Sequence, residues 1–219
     1  MRTDSTARHD APGRPAGPLP AKRQAILEAA VTVFLREGYI RTSVEAIADE
    51  ARVSKQTVYN HFGDKETLFV AAVDNERQRV AAGFAPDVSQ DPAAQDDMTP
   101  RAALIAFGHR VLEVLLDERA SALRRLVIAE VARHPSLRPA CAEGEPQALV
   151  AYLAAMLRRR TERAELDVPE PETGARQFVA LLVQQGLHQS MYGTRALAGS
   201  EAAAICEQAA DLFVRAYRR

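Results

Sequence analysis

The sequence predicts an all-α fold. Ala, Leu, Val and Arg are abundant among its 219 residues, aromatic residues make up 5%, and most of these common residues have high helix propensity. Apolar residues also recur at intervals of three and four, as on one face of a helix, and no stretch alternates as a strand does. We expect a three-helix N-terminal domain containing a helix-turn-helix and a larger C-terminal helical domain.

The first 20 residues are predicted to form a disordered tail. They are rich in Pro and Gly and contain almost no apolar residues, so little burial could offset the entropy lost on ordering. Basic residues outnumber acidic ones up to Arg23, which leaves two interpretations open: a solvated tail, or a basic arm on the DNA backbone.

Residues 21–84 are predicted to contain four helices. The first, 21–37, has an apolar face and ends at Gly38. Thr42 and Glu45 have the spacing of a capping box, which predicts a second helix over 43–51. Ser54 is a good N-cap for a third helix over 55–61, and a fourth follows over 65–83. The residues expected to be buried are Ile26, Ala29, Ala30, Val33, Phe34, Val44, Ile47, Ala48, Val58 and Phe62.

A Pro- and Asp-rich stretch, 85–100, is predicted to be a linker or mobile loop that separates the first domain from residues 101–219. Helical patterns then return and continue to the end of the chain. They cover 101–117, 119–133, 136–143, 146–164, 171–192 and 200–217.

Several protein classes are disfavoured by composition. Cys141 and Cys206 have no metal-binding spacing, no apolar run reaches the length of a membrane span, and no apolar segment marks a signal peptide, so we expect a cytoplasmic protein. No nucleophile, base and oxyanion site can be assembled, so we expect neither an enzyme nor a cofactor. The net charge of −1 means that any contact with DNA depends on local placement of charge.

The third predicted helix has the chemistry of a DNA-recognition helix. Lys55, Gln56 and Thr57 lie in its first turn, where side chains can reach guanine, adenine and thymine edges. Tyr59, His61 and Lys65 could reach phosphates. Each of these residues alone favours a capped surface helix without a DNA role, whereas their ordered combination favours DNA.

The chain resembles the TetR family of bacterial transcriptional regulators over about residues 22–70. The resemblance is carried by ILEAAVTVFLREGY, by Thr42-Ser43-Val44 with Ile47-Ala48, and above all by VSKQTVYNHFGDKETLF. It implies an all-helical homodimer with an N-terminal DNA-binding domain and a C-terminal regulatory and dimerisation domain. By the same resemblance, Ser43, Lys55, Gln56 and Thr57 read bases. The implied phosphate contacts are Thr42, Tyr59, His61 and Lys65.

The C-terminal part resembles the AefR-like subgroup, through the segment from LRRLVIAEVARHPSL to RRRTERAEL and through ARQFVALL. This implies a small-molecule effector, often a hydrophobic one. A cavity between helices would hold it, although a core or surface role remains the alternative for each candidate. The candidate cavity residues are Phe107, Val111, Arg125, Tyr152, Met156, Gln184 and His188.

The last two predicted helices are apolar on more than one face, so each must be buried on two sides. They form either the middle of a large core or, as the resemblance implies, a four-helix interface with a second copy. The candidate interface residues are Phe178, Leu181, Leu182, Gln185, Ile205, Leu212 and Phe213.

These observations favour a homodimeric regulator that binds a palindromic site in double-stranded DNA and responds to a small ligand. Two alternatives remain: a constitutive DNA-binding regulator without an inducer, and a helical module that uses its helix-turn-helix for protein contacts.

Overall fold

The computed structural model describes residues 18–84, 97–141 and 147–218, and these ranges contain helices and no strand. The all-α prediction is therefore confirmed. A 3-10 turn, Pro135–Leu137, precedes the seventh helix. The helices are α1 Pro18–Glu37, α2 Val44–Glu50, α3 Lys55–Phe62, α4 Lys65–Phe84, α5 Pro100–Leu115, α6 Glu118–Val131, α7 Arg138–Cys141, α8 Gln147–Glu162, α9 Pro171–Gln189 and α10 Gly199–Ala216.

The apolar faces predicted for α1, α2 and α3 are all buried. Phe34 of α1 packs edge-on against Phe69 of α4, with ring centroids 4.9 Å apart. Gly38 has φ +79° and donates its N–H to the Phe34 carbonyl at 2.9 Å, so α1 ends at the predicted residue. The first three helices thus share one core with α4.

The start of α2 differs from the prediction. Ser43, not Thr42, is the N-cap, and its hydroxyl accepts the Ala46 N–H at 3.1 Å. The Thr42 hydroxyl turns the other way and donates to the Gly38 carbonyl at 2.8 Å. The predicted capping box between Thr42 and Glu45 is wrong because Thr42 is bonded to the end of α1.

The limits of the tail and linker also differ. Helix α1 begins at Pro18, three residues inside the predicted tail, and proline is tolerated there because the first N–H groups of a helix have no intrahelical partner. Helix α5 begins at Pro100 with Thr99 as its N-cap, so the predicted linker cannot extend beyond residue 99. The rest of both predictions, at residues 1–17 and 85–96, lies outside the described residues.

The C-terminal core is formed by α5, α8, α9 and α10. Two glycines lie where these helices approach closely. A Cβ at Gly186 of α9 would lie 2.6 Å from Leu112 Cδ2, and one at Gly108 of α5 would lie 3.0 Å from Cys206 Sγ. Cys206 is a buried small residue, and burial raises the pKa of its thiol to about 11.

Helices α6 and α7 pack elsewhere. Leu123, Val127, Leu137 and Ala140 join the core of α1–α4, whereas the remaining C-terminal helices form the second core. Packing therefore crosses the boundary that composition predicted near Phe84. This arrangement packs α6 against α1 and α4. Within the described ranges, no helix has the length and apolar composition needed to cross a membrane.

Candidate nucleic-acid interface

Helix α3 is fixed at both ends. The Ser54 hydroxyl accepts the Thr57 N–H at 3.1 Å and lies 2.8 Å from the Thr57 hydroxyl. At the other end, Gly63 has φ +79° and donates its N–H to the Tyr59 carbonyl at 2.8 Å. An N-cap of this kind stabilises a helix by about 1 kcal/mol, which matters for a helix of only eight residues.

The two faces of α3 differ in exposure. Val58 and Phe62 are buried in the first core, while Lys55, Gln56, Tyr59 and Asn60 are exposed. The residues between these faces are half-buried: Thr57, whose hydroxyl is part of the N-cap, and His61, whose ring lies beside Phe62. The helix therefore presents a row of polar side chains while its opposite row is held rigidly.

The ammonium group of Lys55 has two partners. It donates to the Glu45 carboxylate, on the first turn of α2, and lies 5.6 Å from the centroid of the Tyr59 ring. The hydrogen bond from Lys55 lowers the pKa of Glu45, and the same bond raises the pKa of Lys55. Glu45 was not among the residues predicted to act at this surface, because no spacing rule joins residues ten apart on different helices.

Asn60 was also missed. Its side-chain oxygen accepts a hydrogen bond of 2.9 Å from the Gln56 amide nitrogen, one turn earlier on the exposed face. Residues four apart on a helix are neighbours, so the sequence did contain this signal. The bond orients the Gln56 amide but leaves it a second N–H and its oxygen, which are the two groups needed to bind an adenine edge.

Two of the candidate phosphate contacts have other partners. Thr42 is 2% exposed, with its hydroxyl bonded to Gly38, so the prediction that it presents a side chain to a phosphate is wrong. The Lys65 ammonium donates to the carbonyls of Tyr39 and Thr42, at 3.0 and 3.1 Å, and lies over the Tyr39 ring. Lys65 therefore links α4 to the turn after α1, and its predicted phosphate contact would compete with these hydrogen bonds.

Ser43 is the remaining candidate, and two arginines that were not candidates lie in the turn before α3 and beside Phe62. Ser43 is exposed at the start of α2, although its hydroxyl is used as the N-cap. Arg52, in the turn between α2 and α3, has φ 54°, a left-handed conformation that is unusual for a residue with a side chain. The guanidinium of Arg23 lies 5.1 Å from the Phe62 ring centroid, which places one more cation beside α3. These base-reading and phosphate roles stay predictions.

The candidate effector residues divide into two groups. Phe107, Val111 and Met156 are buried in the C-terminal core, and Tyr152 stacks on Phe107 with centroids 6.1 Å apart. The other three do not line that core. Gln184 and His188 are exposed on α9, and Arg125 of α6 donates to the carbonyls of Tyr192 and Gly193. These three do not share a cavity with Phe107, because Gln184 and His188 lie on the exposed side of α9 and Arg125 binds the turn after α9.

The candidate interface residues divide similarly. Phe178, Leu182, Ile205 and Phe213 are buried within a single chain, so they cannot contact a partner and that prediction is wrong for them. Leu181 and Gln185 are partly exposed, and Leu212 is 56% exposed. The accessible sides of α9 and α10 therefore include Gln184, His188 and Leu212.

A charged network joins the two parts of the fold. Glu76 of α4 has a side chain only 3% exposed, and its carboxylate accepts two hydrogen bonds from Arg79, at 2.6 and 2.9 Å. Arg79 also pairs with Asp117, the N-cap of α6, at 2.9 Å. Arg119 of α6 lies 3.3 Å from the other Glu76 oxygen and donates to the Glu28 carbonyl of α1.

This network borders an open cleft of about 640 Å³ between α1, the end of α2, α4 and α6. The cleft lies away from the predicted effector residues. Its lining is mixed in charge: Glu28, Glu50 and Glu76 face Arg52, Arg79 and Arg119. In the described part of the chain, no three His, Cys, Asp or Glu side chains are grouped as metal ligands.

Comparison with known families matches both parts of the chain. Residues 26–72 match the family described as bacterial regulatory proteins, tetR family. Residues 102–219, more than half of the chain, match the C-terminal domain of AefR-like transcriptional repressors. The first match contains the whole of α2 and α3.

Individual relatives align mainly through the N-terminal part. The chain is 36% identical to the transcriptional regulator RutR of Escherichia coli K12 over 97 residues, which cover 44% of this chain and 42% of RutR. It is 37% identical to the repressor AcnR of Corynebacterium glutamicum over 59 residues, 27% of this chain and 31% of AcnR. The aligned regions therefore span less than half the length of these relatives.

Solved structures align over nearly the whole chain. A structure assigned to a TetR-family regulator of Mesorhizobium loti has a TM-score of 0.75 at 27% identity and covers 92% of this chain and 99% of its own. The flavonoid-responsive regulator FrrA has a TM-score of 0.68 at 26% identity and covers 90% and 97%. The chain belongs to the TetR family of bacterial regulatory proteins, with an AefR-like C-terminal domain.

Proposed function

We propose that the protein is a homodimeric transcriptional repressor that binds a palindromic operator and is released from it by a small hydrophobic ligand. The observation that supports this most strongly is the two-sided character of α3. Its exposed row carries Lys55, Gln56 and Tyr59, while Val58 and Phe62 fix the opposite row in the core. A rigid helix with a polar, exposed first turn suits the major groove.

The proposed roles follow from side-chain chemistry. Lys55 donates to guanine O6 or N7, and Gln56, oriented by Asn60, binds an adenine edge. Tyr59 and His61, further along the helix, contact phosphates and fix the register of α3 in the groove. Ser43, exposed at the start of α2, and the Thr57 methyl group make the remaining base contacts in this proposal. Since DNA is its partner, the protein acts in the cytoplasm.

The proposed partner is a second copy of the chain, bound through the exposed sides of α9 and α10. Leu212 there is a large apolar side chain exposed to solvent, and Gln184 and His188 provide polar groups one turn apart. A two-fold interface would use the same patch on both copies and would place two α3 helices in successive major grooves, about 34 Å apart.

The proposed effector site lies in the C-terminal core near Phe107, Tyr152 and Met156. The Phe107 and Tyr152 rings are nearly parallel, at 7°, so a flat apolar molecule could insert beside them. A relative in fold, FrrA, is flavonoid-responsive, which supports an aromatic effector here. Release from DNA requires that the ligand bind the two conformations of the dimer unequally.

The network around Glu76 would couple the effector site to the DNA-binding helices. It ties α4 to α6 and, through Arg119, to α1, so a movement of α6 or α4 would change the spacing of the two α3 helices. The proposed response is therefore a change in separation between recognition helices that are themselves unchanged.

The experiment is selection of DNA sequences by the purified protein from a random library, repeated with a panel of apolar and cationic compounds. We expect a two-fold symmetric sequence to be enriched, and one class of compound both to raise the melting temperature and to reduce binding. A constitutive regulator would enrich the palindrome and respond to no compound. A protein-contact module would enrich no sequence at all, and either result would contradict the corresponding part of the proposal.

A further inference from the structure

The recognition surface contains one acidic side chain whose position conflicts with simple binding to a polyanion. Glu45 is on the first turn of α2, and its side chain is 55% exposed beside the 49% exposed side chain of Lys55. Both belong to the surface that the proposed function directs towards DNA. A carboxylate there is repelled by phosphates of every sequence, so it lowers affinity without regard to the bases.

The same carboxylate controls where the Lys55 ammonium lies. The ammonium is hydrogen-bonded to Glu45 on one side and lies near the Tyr59 ring on the other, so it is held over the surface between α2 and α3. To neutralise a phosphate at the edge of the groove, Lys55 would have to leave Glu45. An ammonium has three N–H donors, however, and can bind a base acceptor ahead of α3 while it keeps Glu45.

We propose that Glu45 is a specificity-determining residue that restrains Lys55, so that the chain binds arbitrary duplex DNA weakly and gains the Lys55 contact only where a base acceptor, such as guanine, lies in its reach. This rests on the proposed DNA-binding function. Because both side chains are exposed to solvent, the pair contributes little to the stability of the fold and can rearrange readily when DNA binds. Glu45 therefore changes the difference in affinity between DNA sequences and has little effect on the stability of the fold.

The test compares Glu45→Gln with Glu50→Gln. Both substitutions remove one exposed negative charge from α2, but Glu50 pairs with Arg36 of α1 and does not contact α3. Binding is measured by fluorescence anisotropy on a random-sequence duplex and on the duplex that the wild type enriches, over a series of salt concentrations. Melting temperatures establish that both variants are folded.

We expect Glu45→Gln to raise affinity for the random duplex at least about threefold and to increase the salt dependence by about one phosphate per subunit. The ratio of specific to random affinity should fall by a similar factor. Glu50→Gln should change neither quantity measurably. A Glu45→Gln protein that behaves like Glu50→Gln on the random duplex would overturn the proposal.

A second comparison separates restraint of Lys55 from general repulsion. In a Lys55→Ala background there is no ammonium to restrain, so Glu45→Gln should change random-duplex affinity less than it does in the wild type. An equal change in both backgrounds would overturn the role of Lys55.

If the wild type binds the random duplex but enriches no sequence, the proposed repressor function fails, and the random-duplex comparison still tests Glu45. If neither the wild type nor Glu45→Gln binds any duplex, both proposals fail.

Discussion

At the scale of single residues, long side chains near α3 bind partners that lie far away in the sequence. Lys65 has the position of a phosphate contact, yet its ammonium is bonded to the Tyr39 and Thr42 carbonyls. A long flexible side chain can reach acceptors more than 20 residues away in the sequence, and no spacing rule predicts which acceptors fold into its reach. Glu45 and Lys55 show the same limit, since the turn between α2 and α3 brings them together.

Tyr39 provides a test of this buried turn through pH. Burial, together with the charges of Glu66 and Asp64, raises the pKa of Tyr39 to about 12. The unfolded chain titrates its tyrosines near 10, so the folded chain holds this proton more tightly. The stabilising effect is complete below pH 10 and is lost as the pH rises from 10 to about 12.

We therefore expect the free energy of unfolding of the wild type to fall by up to about 2–3 kcal/mol across that range, relative to Tyr39→Phe. Urea unfolding of both proteins at several pH values measures this difference. Tyr39→Phe retains the ring and removes the titrating group, so it is the matched control. Parallel curves for the two proteins would show that Tyr39 is not buried as described.

At the scale of helices, periodicity predicted the buried faces well where one face is apolar and failed where two are. The buried positions of α1, α2 and α3 agree with their apolar stripes because each has a single stripe. In α9 and α10 small and apolar residues surround the helix, so the pattern could not distinguish the side packed against neighbouring helices from the side left exposed. Phe178 and Leu212 were therefore assigned to one surface, although only Leu212 is exposed.

The N-cap of α3 yields a prediction at this scale. Ser54→Ala removes the acceptor for the Thr57 N–H and should reduce the free energy of unfolding by about 1 kcal/mol. Ser54→Asp keeps an acceptor at the N-cap and should restore that stability. Because the new carboxylate would lie at the end of α3 that is proposed to enter the groove, Ser54→Asp should still bind DNA more weakly than the wild type.

Urea unfolding and anisotropy on one duplex separate these two effects. A Ser54→Asp protein that is as stable as the wild type and binds DNA equally well would place the N-terminus of α3 away from the DNA.

At the scale of the whole molecule, the sequence predicted two helical parts but not how they are joined. Composition marked a boundary at the Pro- and Asp-rich stretch, whereas burial assigns Leu123 and Val127 of α6 to the core of α1–α4. Such contacts join residues that are far apart in the sequence and leave no periodic signal. The contact between the two parts also contains the buried Glu76, which composition alone would have placed on a solvated face.

The contribution of the Glu76 network to the free energy of unfolding can be measured with Glu76→Gln. The substitution keeps the shape but removes the charge that binds Arg79 and Arg119, and both arginines are partly exposed, so we expect a loss of about 1–2 kcal/mol in the free energy of unfolding. Glu172→Gln removes a carboxylate from an exposed pair with Arg158 and should cost less than about 0.5 kcal/mol. Equal urea unfolding curves for the two variants would contradict a structural role for the network.

The central claim is that two copies of α3, each reading bases through its first turn, give the protein its DNA sequence preference. Selection from one random library with the wild type, Lys55→Ala and Tyr59→Phe tests it most directly. The wild type should enrich a two-fold symmetric sequence with half-sites about one turn of DNA apart, and Lys55→Ala should lose preference at one position in each half-site. Tyr59→Phe should keep the sequence and bind all sites more weakly. If the wild type enriches no symmetric sequence, or if all three proteins enrich the same sequence with equal affinity, the claim is contradicted.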